Sequence, residues 1–77
     1  MYDLFMEKLK ELFANVLNLS ITEINEQTSP LNTPTWDSLK FMQLVTTFEF
    51  VFEVKLSIEQ IMKLRDFKSF QDLLSEL

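Results

Sequence analysis

At Asp37-Ser38 a run of loop formers gives way to apolar residues at helical spacing, and this junction constrains the fold more than any other part of the chain. Upstream stand Thr28, Ser29, Pro30, Asn32, Thr33, Pro34 and Thr35, which favour turns and loops. Downstream, Phe41, Leu44, Val45, Phe48, Val51 and Phe52 gather on one side of a helix at about 100° per residue. The junction predicts a helix from about Ser38 to Glu53, with Asp37 as its N-cap. The Ser38 hydroxyl then stands at the positive end of that helix, where the first amide N–H groups have no intrahelical partner. A phosphate on that hydroxyl would sit where helix termini favour anions.

The remaining chain reads as three further helices. Helix 1 is expected from about Tyr2 to Leu17, capped by Asp3, with Leu4, Phe5, Leu9, Leu12, Phe13, Val16 and Leu17 as its apolar stripe. Asn18 is expected to stop it in the left-handed conformation that Gly usually supplies. Residues 19–36 form a long connection, pinned to the core by Leu19, Ile24 and Leu31, with a short helical turn near Thr22–Asn25. Ser57 and Gln60 make a capping-box pair for a short helix 3, Ile58–Leu64; Ser69 and Asp72 repeat the spacing and open helix 4, Phe70–Glu76. Phe67, Phe70, Leu73, Leu74 and Leu77 give that last segment its apolar face. The fold class is therefore all-α: a four-helix bundle, one domain over residues 1–77, with a long loop between helices 1 and 2.

Composition narrows what such a bundle can do. The chain has 77 residues, 47% of them hydrophobic, with 8 Phe. A domain so small buries only about 60% of the surface its unfolded chain exposes. There is no His, which removes the usual general base and a Ser–His triad. There is no Cys, hence no disulfide, thiolate metal site or thiol nucleophile. There is no Gly, which excludes phosphate-cradling glycine loops. Self-contained catalysis and a resident metal are not expected. A cytoplasmic setting suits a chain without Cys. No stretch reads as a signal peptide or a membrane span. A net charge of −5 argues against nucleic acid and favours a basic partner surface.

Helix 2 has a second apolar line. Leu39, Met42, Thr46, Phe50 and Glu53 fall roughly opposite the core face. Apolar residues exposed in a line mark a partner surface. The alternative is that helices 3 and 4 cover the stripe and make it core. Ser38 has three readings: a structural cap, a nucleophile without a base, or an acceptor hydroxyl modified by another enzyme.

Asp37-Ser38-Leu39, opening the second helix of a small acidic bundle, resembles the Asp-Ser-Leu motif of acyl carrier proteins. The resemblance covers essentially the whole chain. Leu17-Asn18-Leu19 with Glu23-Ile24 resembles the turn after helix 1; Leu44, Phe48 and Phe52 match core positions of helix 2; Phe67, Ser69 and Phe70 resemble the entry to helix 4. The resemblance implies that Ser38 carries 4′-phosphopantetheine, transferred from coenzyme A by a phosphopantetheinyl transferase. Acyl groups would then ride as thioesters on the arm's thiol, supplied and removed by acyl-loading and acyl-transfer enzymes. Asp37 and Leu39 would flank the attachment point. Leu39, Met42, Thr46 and Glu49 on helix 2, with Ile61 and Met62 on helix 3, would face partners, the carrier acting as a monomer. Ile58, Ile61 and Met62 either frame a cleft between helices 2 and 3 or simply pack.

The chain also departs from the family's pattern. Trp36 stands before Asp37, and the usual Gly is absent. Trp36 either guards the base of the arm or anchors the loop against the bundle, the better use of a large, mostly apolar ring. Charges on helix 2 are limited to Lys40, Glu49 and Glu53. Between Lys55 and Lys68, four bases (Lys55, Lys63, Arg65, Lys68) face two acids (Glu59, Asp66), a solvated face in which Glu59 and Lys63 have i,i+4 spacing. This layout predicts poor docking with general fatty-acid enzymes and a dedicated partner set, and the Trp36-Asp37-Ser38-Leu39 form resembles stand-alone carriers of specialised pathways more than the housekeeping carrier of fatty acid synthesis. A peptidyl or aminoacyl carrier with the same arm is one alternative. A helical interaction module without a prosthetic group, in which Asp37-Ser38 is only a cap, is the other.

Overall fold

A computed structural model describes residues 3–77. Four α-helices follow one another: α1 Leu4–Leu17, α2 Ser38–Phe52, α3 Ile58–Met62 and α4 Phe67–Glu76, with a 3₁₀ turn at Ile21–Glu23. The described residues contain no strand. The all-α bundle expected from the periodicity is the fold observed.

Capping chemistry sets the helix limits. Asp3 accepts from the N–H groups of Phe5 and Met6 at 3.0 and 3.3 Å, so α1 begins at Leu4. Tyr2, expected at the start of this helix, lies outside the described residues. Asn18 ends α1 with φ 58° and ψ 48°, as expected, and Leu19 N–H returns to the Ala14 carbonyl at 3.0 Å. Ser57 and Gln60 form the expected reciprocal cap of α3 at 3.1 and 2.8 Å. That helix stops at Met62 rather than Leu64, and Leu64 is buried in the link that follows.

The start of α4 differs from the sequence expectation. Asp66, not Ser69, is the N-cap, and Ser69 is the third helical residue of a box that Asp66 closes at 2.7 Å. Two sequence pairs had the same spacing. Asp66 wins because it starts the helix early enough to bury Phe67 and to let Phe67 N–H donate to the Thr28 carbonyl at 2.9 Å.

The interior is largely aromatic. Phe13 meets Trp36, Phe67 and Phe70 edge-on, with centroids 5.6, 4.9 and 4.9 Å apart. Phe70 also reaches Phe48 at 6.0 Å and Phe41 at 6.4 Å. Each such pair adds about 0.5–1.5 kcal/mol beyond area burial. Leu9, Leu12, Leu17, Leu44, Val45, Leu56, Leu64 and Leu73 complete the core. At the chain ends the expected stripes overreach. Leu4 and Phe5 of α1 are exposed, as is Leu77, although the Phe5 ring still meets Phe52 of α2 at 6.3 Å.

The long connection is ordered by its own polar groups. Ile24 is buried and Leu19 half-buried, but Leu31 is fully out in solvent and pins nothing. Thr28 and Thr33 are buried instead. Thr28 Oγ1 accepts from Asn25 N–H at 2.9 Å and donates to the Glu23 carbonyl at 3.4 Å. The Asn32 amide bridges Ser29 N–H and the Gln27 carbonyl at 3.0 and 2.7 Å. Trp36 N–H closes the last turn on the Thr33 carbonyl at 2.9 Å. These bonds satisfy the backbone locally and tie the loop to itself up to Trp36, two residues before Ser38.

Candidate functional site

Trp36 sets the position of the site. The residue is 5% exposed, and its ring packs against Phe13 and Phe70. The anchoring role expected of it is therefore observed, and one edge still reaches a surface cleft beside Ser38. Asp37 follows in extended conformation. Its Oδ1 accepts from Lys40 N–H at 2.9 Å, and its carbonyl accepts from Phe41 N–H at 2.9 Å. The helix begins at Ser38 because its first turn is closed from both sides of Asp37.

Ser38 is exposed, and its hydroxyl makes no hydrogen bond to another described residue. The Ser38 and Leu39 N–H groups belong to the first turn and have no intrahelical acceptor. An anion at this hydroxyl thus meets free donors and the positive end of a helix of 15 residues. The chemistry available is that of an accessible alcohol with no base beside it.

Around it the surface is apolar. Leu39, Met42 and Phe50 are 65%, 52% and 84% exposed, so helix packing leaves this stripe uncovered. Thr46 extends it in an indirect way. Its hydroxyl is turned back onto the Met42 and Gln43 carbonyls at 3.0 and 3.2 Å, which satisfies the polar group within the helix. On α3, Ile58 and Met62 are also exposed, whereas Ile61 packs against the core. Glu49 is half-buried, and its Oε2 accepts from Leu56 N–H at 2.8 Å, tying α2 to the α2–α3 connection. That carboxylate thus has a structural task. The Glu59–Lys63 spacing makes no ion pair; among the described residues the one pair within 4 Å is Lys68–Asp72, at 3.4 Å and exposed.

The cleft at Ser38 has a volume of about 550 Å³ and is lined by Pro30, Trp36, Asp37, Ser38, Phe41, Met42, Leu64 and Arg65. Phe41, Leu64 and Arg65 are residues that sequence reasoning did not bring to the site. Phe41 was legible only as core, and Arg65 only as one charge of a basic segment. A separate groove of about 400 Å³, lined by Phe5, Met6, Phe52, Val54 and Leu74, lies near the other end of α2, about 21 Å along the helix axis from Ser38 at 1.5 Å per residue.

No helix among the described residues is long and apolar enough to cross a membrane. No curated protein matches the sequence. Residues 7–74 match the Phosphopantetheine attachment site family. That match runs from α1 into α4 and takes in the junction of loop and helix described above, so the chain belongs to the phosphopantetheine-attachment family of carrier domains, which hold 4′-phosphopantetheine covalently.

Proposed function

We propose that this protein is an acyl carrier whose 4′-phosphopantetheine arm is attached at Ser38 and which shuttles thioester intermediates in a specialised biosynthetic pathway. The observation that carries the reading is Ser38 itself, exposed, with no hydrogen bond from its hydroxyl to another described residue, and at the N-terminus of α2. A phosphodiester fits there: the first-turn N–H groups are free, and Arg65 lines the same cleft. When bound, the arm supplies the thiol that a chain without Cys lacks.

The chain's own residues have separate tasks in this reading. Asp37 holds the first turn closed and keeps Ser38 at the surface. Trp36 fixes the approach of the loop. Leu39, Met42 and Thr46 form a docking face on α2, with Met62 on α3. Deprotonation of the hydroxyl falls to the phosphopantetheinyl transferase, because this chain has no His. Acyl-loading and acyl-transfer enzymes are the other partners, met by a monomer in the cytoplasm. The sparse charge on α2 and the apolar stripe support a dedicated partner set.

Incubation with coenzyme A, Mg²⁺ and a promiscuous phosphopantetheinyl transferase, followed by intact mass measurement, tests this. The wild type is expected to gain one phosphopantetheinyl group and Ser38→Ala none. A folded wild-type chain that gains no mass would favour an interaction module instead.

A further inference from the structure

The cleft at Ser38 is built from three segments: Pro30 and Trp36 of the loop, Ser38, Phe41 and Met42 of α2, and Leu64 and Arg65 of the α3–α4 link. Its walls are mainly apolar. Its charges are those of Asp37 and Arg65. Asp37 Oδ1 is occupied by Lys40 N–H. Arg65 is exposed, and no described carboxylate lies within ion-pair distance of it. A guanidinium matches the charge and planar geometry of a phosphodiester, and Arg65, without a carboxylate partner among the described residues, lines the same cleft as the Ser38 hydroxyl.

The interior behind α2 is closed to a guest. Leu44, Phe48 and Phe70 have no exposure. Phe70 is ringed by Phe13 at 4.9 Å, Phe48 at 6.0 Å and Phe41 at 6.4 Å. A chain entering there would have to displace close-packed rings, which cores resist. The cleft, by contrast, is open from Ser38 outward. Its 550 Å³ falls within the range of about 300–1,000 Å³ typical of small-molecule sites.

We propose that this outer cleft is the resting place of the arm. The Arg65 guanidinium pairs with the phosphodiester on Ser38, and the pantetheine chain with a short acyl cargo lies along Phe41, Met42, Leu64 and the edge of Trp36, outside the core. The proposal rests on Ser38 being the attachment point.

The test uses the isotopically labelled full chain, loaded by the transferase from coenzyme A or butyryl-coenzyme A and checked by mass. Proton–nitrogen and methyl spectra are recorded before and after loading, with the phosphorus resonance of the arm. The Trp36 indole, Phe41 and Leu64 signals are expected to shift on loading and further on butyrylation, while those of Leu44 and Phe48 stay in place. Arg65→Ala, a change at an exposed side chain, is expected to shrink the Trp36 and Leu64 shifts at least twofold and to move the phosphorus resonance. Mass gain with Trp36 and Leu64 unmoved overturns the proposal while leaving the carrier reading intact. So do shifts centred on Leu44 and Phe48. Identical spectra for loaded wild type and loaded Arg65→Ala overturn the role of the guanidinium. Absence of any mass gain overturns the carrier reading and this proposal together.

Discussion

Trp36 meets Phe13 edge-on, with ring centroids 5.6 Å apart and planes at 72°. The contact joins the last turn of the long loop to the middle of α1, two residues before Ser38. The presented hydroxyl is therefore held from behind by an aromatic contact rather than by any bond of its own.

Truncation of that ring should loosen the site and the fold together. Trp36→Ala is expected to cost about 3–5 kcal/mol, the usual range for a buried large aromatic. A domain of this size has a total stability on the order of 4–12 kcal/mol, so the variant is expected to lose a large share of it and to unfold at a clearly lower urea concentration than wild type. Trp36→Phe, which keeps an edge for Phe13, should cost markedly less. Urea unfolding of the two variants checks the order. Equal losses would show that the edge contact a phenyl ring retains contributes nothing to anchoring and that the indole itself is required.

The cap of α2 separates stability from recognition. Asp37→Ala removes the acceptor for Lys40 N–H and should cost about 1 kcal/mol. Asp37→Asn keeps an oxygen in place and should restore most of that loss. If the transferase reads the carboxylate charge, Asp37→Asn will retain the melting temperature and still be modified several-fold more slowly than wild type. A wild-type modification rate in Asp37→Asn would reduce Asp37 to a cap.

Glu53 ends α2 with φ 54° and ψ 47°, a region where a side chain with Cβ costs roughly 1–2 kcal/mol. Part of that strain is recovered by Gly, offset by the greater freedom of Gly in the unfolded chain. Glu53→Gly is expected to stabilise by about 0.5 kcal/mol, or a few degrees in Tm for a domain of this length. Glu53→Val should lower Tm. A scanning calorimeter resolves both, and a lower Tm in Glu53→Gly would mean that the glutamate side chain has a stabilising contact of its own.

Local chemistry was the legible part of the fold. Asp3, Asn18, Asp37 and the Ser57–Gln60 pair each act within four residues of themselves, and each acts as its sequence suggests. What failed depended on contacts distant in sequence. Leu31 reads as an apolar pin and is exposed, because the Asn32 amide and Thr28 hydroxyl fasten the loop instead. The cap of α4 was misplaced because its choice rests on Phe67 reaching the Thr28 carbonyl across the fold. At the site, period and capping placed Ser38 at the start of α2 and drew the second apolar line, but left open whether that line was covered and whether Ser38 was more than a cap; the attachment role came from the family resemblance. Arg65 and Leu64 were not legible as site residues, because 27 and 26 residues separate them from Ser38 and only the packing of the α3–α4 link brings them to its cleft.

The exposed stripe of α2 should be separable from stability. Met42→Glu and Phe50→Glu alter side chains that are 52% and 84% exposed, so each should change stability by no more than about 0.5 kcal/mol. Met42→Glu is nevertheless expected to weaken transferase or acyl-transfer turnover several-fold, through loss of an apolar contact near Ser38. Thermal melts paired with steady-state kinetics check both halves. A large fall in Tm for Met42→Glu would assign Met42 to the core.

Attachment at Ser38 is tested most directly by fragment-ion mass spectrometry of the transferase-loaded chain, which places the added group on a single side chain. The account predicts that the group maps to Ser38 alone and that Ser38→Ala stays unmodified. The added mass on Ser29, Thr33, Thr35 or any other hydroxyl, with Ser38 bare, would contradict it.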